Sequence, residues 1–218
     1  MSENAKLRLE FLIATAVLGA VIVLMRFDSF RFVGWESSVF IGLPVIMAMI
    51  RNLPISELGL SVRNPLKDLK YFLIASLVFL PPFTAAFFIF EHFANNAAIT
   101  LCVPEGLGKA IAVHFFYFAL PEEFLFRGYL QTRFYRITPK LIGPEKLGLP
   151  LAAIVCAVIF AFAHVIFDAS WYRLLVFFPA VIFGWLRHRT GSILASTLFH
   201  GACNVTAFWV SGMFTYLR

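Results

Sequence analysis

Two adjacent acids and an arginine interrupt an apolar stretch of the sequence and are the first residues that could do chemistry. In a helix, residues four apart lie on one face, so Glu123 and Arg127 can form an ion pair. Glu122 is turned about 100° away from Glu123 and has no basic residue four positions away. Pro121 removes one helical N–H and crowds the carbonyl of Tyr117, which predicts a kink beside that acid. The unpaired carboxylate is a candidate acid–base group, and the alternative is a solvated charge cluster at a helix end.

Two later apolar stretches each contain a pair of residues at helical spacing. Phe160 and His164 are four apart, so the phenyl ring and the imidazole share a face. His200 and Asn204 are also four apart, and the small residues between them let a neighbouring helix or a substrate backbone approach closely. Together with Glu122, these side chains come from three different helices, as in a site at the centre of a helical bundle. Alternatively, each of these polar residues forms only a hydrogen bond between helices.

The composition defines the elements that must position these side chains. The chain has 218 residues, of which 61% are hydrophobic and 14% charged, and its mean hydropathy is +0.85. The apolar residues form repeated long runs separated by short basic loops, which is typical of a polytopic helical membrane protein. The runs lack the alternation of an outer-membrane barrel. We therefore predict an all-α fold, a transmembrane helical bundle of about seven spans with the active site between helices.

The basic residues predict the orientation of this bundle. With the N-terminus in the cytoplasm, most of the 18 Lys and Arg residues lie on the inner side, as the positive-inside rule requires. The net charge of +6 therefore indicates topology, and no soluble basic face is available to bind nucleic acid. Pro81 and Pro82 are expected to bend or break the third span. The predicted spans are about residues 11–25, 37–50, 71–90, 110–130, 149–167, 171–186 and 192–210. An alternative start for the fifth span lies later, near residues 152–154.

The polar motifs resemble those of the CAAX protease and bacteriocin-processing family, the intramembrane glutamic endopeptidases related to the type II CAAX prenyl endopeptidase. Three ordered motifs in apolar runs are far more specific than a single E-E-x-x-x-R sequence. The resemblance covers about residues 110–210, and before it only Glu57-Leu58-Gly59-Leu60 faintly resembles a loop of the family. The motifs are Glu122-Glu123-x-x-x-Arg127, Phe160-x-x-x-His164 and His200-x-x-x-Asn204.

The resemblance implies a peptide hydrolase that uses no cofactor and no metal. It makes Glu122 the general base that activates water, helped by His164. It makes His200 and Asn204 the donors that stabilise the oxyanion, a role that gains strength where water is excluded. The supporting residues are Glu123, Arg127 and Phe160.

We expect one membrane-embedded domain with three parts. Residues 1–109 form N-terminal transmembrane helices and a cytoplasmic loop, residues 110–210 form the catalytic core, and residues 211–218 form a tail. The expected partners are the lipid bilayer and a membrane-anchored protein or peptide substrate, whose prenylation is left open. The expected location is a multi-pass protein of a bacterial inner membrane with its N-terminus in the cytoplasm.

Three other interpretations stay open at this point. Glu122 with two histidines is a plausible zinc set for a metalloprotease, although there is no H-E-x-x-H motif and an asparagine is a poor zinc ligand. Cys203 could be a nucleophile, although adjacent positions on a helix diverge. The chain could also be a non-catalytic scaffold or transporter whose buried polar groups join helices or relay protons.

Overall fold

The computed structural model describes residues 2–27, 35–60, 63–94, 97–99, 102–144 and 148–216. Within these residues the chain forms seven helices and four very short strands, so the all-α prediction is confirmed. Strands β1 (Ala97–Ile99) and β4 (Phe214–Tyr216) pair antiparallel, as do β2 (Leu141–Ile142) and β3 (Leu149–Pro150). The helices are α1 (Glu3–Leu24), α2 (Trp35–Arg51), α3 (Pro65–Ala94), α4 (107–137), α5 (Leu151–Asp168), α6 (Phe177–Thr190) and α7 (Leu194–Ser211).

Three of the described helices are long and apolar enough to cross a membrane, namely Glu3–Leu24, Pro65–Phe93 and Leu151–Asp168. The segment Ser37–Arg51 is apolar but shorter. The count of about seven spans therefore stays a prediction. The prolines do not break the third span, because α3 runs through Pro81 and Pro82 without interruption, and a bend there stays a prediction. Membrane helices tolerate such prolines because neighbouring groups and local adjustments satisfy the freed backbone.

Helix α4 carries both glutamates and changes its winding around them. It is α-helical over Leu107–Ala112, Leu120–Glu123 and Gln131–Ile137. The intervening segments, Val113–Ala119 and Phe124–Leu130, are π-helical. Such π-helical turns are rare in proteins overall, and those that occur are often found at functional sites. The glutamate pair thus lies in one short α-helical turn between two wider ones.

A residue of another helix replaces the backbone hydrogen bond that Pro121 removes. Because proline has no N–H, the carbonyl of Tyr117 loses its helical donor. The Ser37 hydroxyl of α2 donates a hydrogen bond to this carbonyl oxygen at 2.6 Å. The carbonyl of Tyr117, one turn before Pro121 and Glu122, is therefore paired through a specific contact between α2 and α4.

The second half of α4 is the centre of the core. All seven residues of its segment Phe124–Leu130 are buried. Gly128 allows the backbone of a short 3₁₀ turn, Ile55–Leu58, to approach, since a Cβ atom there would lie 2.6 Å from the Leu58 carbonyl oxygen. The next residue, Gly59, has a φ of 75° and accepts a hydrogen bond from the Ile193 N–H at 2.9 Å. This turn therefore joins α4 to the start of α7.

Some of the other predicted helix boundaries are close to those observed, but α1 begins at Glu3 rather than at about residue 11, and α6 is preceded by a 3₁₀ segment, Trp171–Val176. Helix α5 begins at Leu151, between the two predicted starts, after the extended residue Pro150. Gly191 ends α6 in the left-handed conformation, with a φ of 79°, and its N–H bonds to the Arg187 carbonyl. Ser192 accepts a hydrogen bond from the Leu194 N–H at 3.0 Å, at the start of α7.

Candidate functional site

His200 lies between the two adjacent glutamates and joins α7 to α4. Its Nδ1 atom is 3.0 Å from Oε1 of Glu123, which is a hydrogen-bond distance. Its Nε2 atom is 3.8 Å from Oε2 of Glu122, which is too long for a direct hydrogen bond. An ionised carboxylate only accepts hydrogen bonds, so the Nδ1 atom carries a proton. The Nε2 edge of the imidazole therefore faces Glu122.

Glu123 is held by an ion pair inside the bundle, as the spacing of four predicts. Its Oε1 is 3.0 Å from an Nη atom of Arg127, and the side chains are 0% and 1% exposed. The other Nη of Arg127 donates to the Ala180 carbonyl of α6 at 3.0 Å. A buried charge requires partners of this kind, because leaving it alone in a low dielectric is costly. The pair fixes the carboxylate that in turn orients His200.

Aromatic rings enclose the imidazole and the guanidinium. The ring of Phe183 stacks on His200, with centroids 4.6 Å apart and planes 17° from parallel. Phe160 meets His200 edge-on at 5.7 Å, and the Arg127 guanidinium lies 4.6 Å from the Phe160 centroid. Cation–π contacts of this kind favour a cation over the ring face. Sequence analysis missed Phe183, since nothing in the sequence distinguishes it among 27 phenylalanines.

His164 reaches the cluster through Phe160. Their rings are 4.4 Å apart, and the Nδ1 atom of His164 is 3.0 Å from the Phe160 carbonyl oxygen. This backbone bond places the proton on Nδ1 and leaves Nε2 for another partner. Within the described residues, no hydrogen bond joins His164 to Glu122. Asp168, four residues after His164, pairs with Arg173 at 2.6 Å.

Asn204 follows His200 on α7 and is half-buried. Its side chain makes no hydrogen bond to the described part of the chain. It therefore has its donor and acceptor available on the stripe of α7 that carries His200. The structure brings Glu122, Glu123 and His200 into one cluster, and within the described residues no hydrogen bond joins Asn204 to it.

Glu122 differs from Glu10, Glu57 and Glu123, each of which pairs with an arginine. Its side chain is 14% exposed, and its Oε2 atom is buried with no hydrogen-bond partner in the described residues. No lysine or arginine of the described chain lies within 4.0 Å of its carboxylate. An orphaned buried carboxylate oxygen is costly, so a proton-bearing partner is required there. We refer to Glu122, Glu123, Arg127 and His200 as the carboxylate–imidazole cluster.

A further set of buried charges lies next to this cluster and was not predicted. Glu10 of α1 is 5% exposed and accepts a hydrogen bond from the Tyr129 hydroxyl at 2.7 Å. The Nε atoms of Arg51 and Arg133 lie 3.2 and 3.7 Å from its carboxylate. The apolar run in the sequence begins after Glu10, whereas the helix begins at Glu3 and includes it.

Glu57 extends this set of charges towards the protein surface. Its Oε2 atom lies 2.9 Å from Arg133 and 2.7 Å from Arg136. Glu57 belongs to the turn that packs on Gly128, so these ion pairs also fix that turn. The second charge network, as we call it, consists of Glu10, Arg51, Glu57, Tyr129, Arg133 and Arg136.

Within the described ranges, no group of three or more His, Cys, Asp or Glu side chains is arranged to hold a metal ion. Cys203 is 6% exposed, and buried free cysteines of this kind commonly act as small apolar side chains.

The apolar helical bundle and its buried carboxylate–imidazole cluster are those of an integral membrane protein with a candidate hydrolytic site. Comparison with protein families then identifies the family of one part of the chain. Residues 104–206 match the family model described as type II CAAX prenyl endopeptidase Rce1-like. No curated protein and no solved structure matches the chain. Residues 104–206 are thus a domain of this family, and the chain is an integral membrane protein.

Proposed function

We propose that this protein is an intramembrane glutamic endopeptidase that hydrolyses a peptide bond of a membrane-associated protein or peptide. The observation that carries the proposal is Glu122, whose Oε2 atom is buried without a hydrogen-bond partner and 3.8 Å from the Nε2 atom of His200. A carboxylate in this position can accept a proton from a water molecule. The family match over residues 104–206 supports the same reaction class.

In the proposed reaction, Glu122 takes one proton from water while the water oxygen attacks the carbonyl carbon of the scissile bond. The carbonyl oxygen becomes an oxyanion, which accepts hydrogen bonds from Nε2–H of His200 and from the amide of Asn204. When the C–N bond breaks, Glu122 returns the proton to the leaving amine. The products are a carboxylic acid and an amine, and the glutamate is regenerated.

The contacts of the cluster are consistent with His200 acting as a donor. In this proposal His200 acts in its imidazolium form, which carries a proton on both ring nitrogens. Glu123 accepts from Nδ1 at 3.0 Å and thereby directs Nε2–H toward the reacting atoms. Glu123 and Arg127 are in this proposal positioning residues, and His164 presents Nε2 to the attacking water.

The proposed substrate is held at the membrane. Helix α5, which carries His164, is long and apolar enough to cross a membrane, and the chain is an integral membrane protein. A lipid-anchored or transmembrane chain reaches such a site without leaving the bilayer, whereas a soluble peptide must lose its hydration. Both CAAX-type processing near a lipid-anchored C-terminus and bacterial protein sorting fit this class. We further propose that the N-terminus lies in the cytoplasm of a bacterial cell.

A zinc-dependent version uses some of the same residues. Oε2 of Glu122 and Nε2 of His200 lie 3.8 Å apart and form no hydrogen bond with each other. Carboxylate oxygens and imidazole nitrogens both bind zinc. The two versions differ in the source of the nucleophile, since zinc lowers the pKa of a bound water directly. A strong chelator separates them.

The test is cleavage of a fluorogenic library of membrane-anchored peptides in liposomes by the wild type, by Glu122→Gln and by Glu105→Gln. Glu105 is exposed and provides a control for the loss of one carboxylate. With chelator present throughout, the wild type and Glu105→Gln are expected to cleave, and Glu122→Gln is expected to be slower by at least about two orders of magnitude.

The other outcomes contradict parts of the proposal. Loss of wild-type activity in chelator, with recovery on added zinc, replaces the metal-free mechanism with the zinc version. Equal cleavage by a folded Glu122→Gln variant excludes this residue as the base. If no peptide is cleaved by any of the three proteins, a scaffold or a transporter becomes the better description.

A further inference from the structure

A polar cavity lies at the end of the bundle where α2, α4 and α6 end and α7 begins, apart from the carboxylate–imidazole cluster. Its volume is about 410 Å³. Its polar lining differs from that of the apolar groove along α3. The residues that line it are Ser56, Glu57, Arg63, Thr132, Arg136, Arg187, Thr190 and Gly191.

The cavity has an excess of positive charge. Arg136 pairs with Glu57 at 2.7 Å, but Arg63 and Arg187 have no carboxylate partner in the described part of the chain. An Nη atom of Arg187 donates to the Glu57 carbonyl at 3.0 Å, which fixes this guanidinium at the wall. Counting three arginines against one glutamate, the lining is positive. Fixed guanidinium groups of this kind recognise phosphate and carboxylate groups.

Hydroxyl groups complete the donor set. Ser56, Thr132 and Thr190 line the same cavity, and the Thr132 hydroxyl is 3.4 Å from Arg187. A phosphate has several acceptor oxygens, so a set of guanidinium and hydroxyl donors from three chain segments matches it better than a single cation does. The ligand chemistry that fits the cavity is therefore a phosphate group.

The surface around the cavity indicates the source of that phosphate. Ile55, next to Ser56, is 65% exposed, and Leu66, three residues after Arg63, is 77% exposed. Leu60, two residues after the turn Ile55–Leu58, is 41% exposed. Exposed apolar side chains beside basic ones are typical of a surface that lies at the boundary between headgroups and acyl chains. A phosphate in this cavity thus belongs to a lipid whose chains contact these residues.

We propose that this cavity binds the phosphate of an anionic phospholipid headgroup. The turn that forms its wall packs on Gly128 of α4 and bonds to Ile193 at the start of α7. A bound headgroup would therefore brace the two helices that carry Glu122 and His200. Because a ligand that binds the folded state stabilises it, the lipid raises the thermal stability of the protein.

The experiment is native mass spectrometry of the detergent-solubilised full chain, titrated with phosphatidylglycerol, phosphatidylcholine or inorganic phosphate. The variants are Arg63→Gln, the double variant Arg63→Gln with Arg136→Gln, and the control Lys70→Gln. Lys70 is exposed at the same end of the bundle and outside the cavity. The control therefore removes one positive charge from this end without changing the lining.

The wild type and Lys70→Gln are expected to retain phosphatidylglycerol in preference to phosphatidylcholine, and the lipid is expected to raise their melting temperature. Arg63→Gln is expected to weaken phosphatidylglycerol binding about fivefold, and the double variant more, as expected for basic residues at an anionic lipid surface. Arg63 makes no ion pair within the described residues, so this variant keeps the test valid if the double variant fails to fold.

Equal retention of phosphatidylglycerol by all folded proteins overturns the site. If inorganic phosphate binds as tightly and displaces the lipid, the lipid assignment is wrong and the ligand is a free phosphate ion. Neither result depends on whether the protein cleaves peptides, because the measurement detects binding and melting temperature alone.

Discussion

Two sets of buried charge follow one another along α4, and they differ in how their acids are paired. In the second charge network, Glu10 contacts Arg51 and Arg133, and Glu57 contacts Arg133 and Arg136. In the carboxylate–imidazole cluster, Glu123 is paired in the same way, but Glu122 contacts no arginine or lysine among the described residues. The comparison separates acids that hold helices together from one that is available for chemistry.

The largest effect is expected at the centre of the cluster. Arg127→Met removes the guanidinium and leaves Glu123 buried with His200 alone. The expected loss of unfolding free energy is about 3–5 kcal/mol, the usual cost of removing one partner of a buried pair. Unfolding in mixed detergent micelles, followed by circular dichroism, measures this loss. A loss below about 1 kcal/mol, the range of exposed ion pairs, would show that this pair is not buried in the membrane.

A smaller effect is expected in the second charge network. Tyr129→Phe removes the hydroxyl that donates to Glu10 at 2.7 Å and leaves both arginines in place. The expected loss is about 1–3 kcal/mol, because a charged, buried acceptor loses one donor. The same unfolding assay measures it, and the cleavage rate per folded molecule is expected to stay at the wild-type value. A loss of cleavage without a loss of stability would assign this network to the reaction.

The smallest effect is expected at the backbone of α4. Ser37→Ala removes the donor to the carbonyl that Pro121 leaves without a helical partner. The expected loss of stability is about 0.5–1.5 kcal/mol, the usual net contribution of one hydrogen bond. In the double variant Ser37→Ala with Pro121→Ala, the restored helical N–H is expected to recover part of this loss. Equal stability of the wild type and Ser37→Ala would mean that another group satisfies this carbonyl.

Local features of the fold could be predicted because they depend on neighbours in the sequence. The pair Glu123–Arg127 follows from a helical spacing of four. The lost helical donor at Pro121 follows from its missing N–H. At Pro81 and Pro82 the same local rule allowed a break, but the helix runs on without one.

Contacts between helices could not be predicted from one sequence. The spacing predicted that His200 and Asn204 share a helix face, but it did not show that the Nδ1 atom of His200 bonds to Glu123. Phe183 is one phenylalanine among many, and only the packing of α6 brings its ring onto His200. Glu10 was placed just outside the first span, because an apolar run does not reveal that its helix begins a turn or two earlier. Each of these contacts depends on the relative rotation of two helices, which a spacing rule does not fix.

The central claim is that Glu122 acts in the reaction whereas the paired acids maintain the fold, and one matched measurement tests it directly. Glu122→Gln and Glu10→Gln are purified side by side, and both the unfolding free energy and the cleavage rate per folded molecule are determined. Glu122→Gln is expected to stay within about 0.5 kcal/mol of the wild type and to lose at least about 100-fold in rate. Glu10→Gln is expected to lose about 1–3 kcal/mol and to keep the rate. If Glu122→Gln instead loses stability and keeps its rate, Glu122 is a structural acid and the account is wrong.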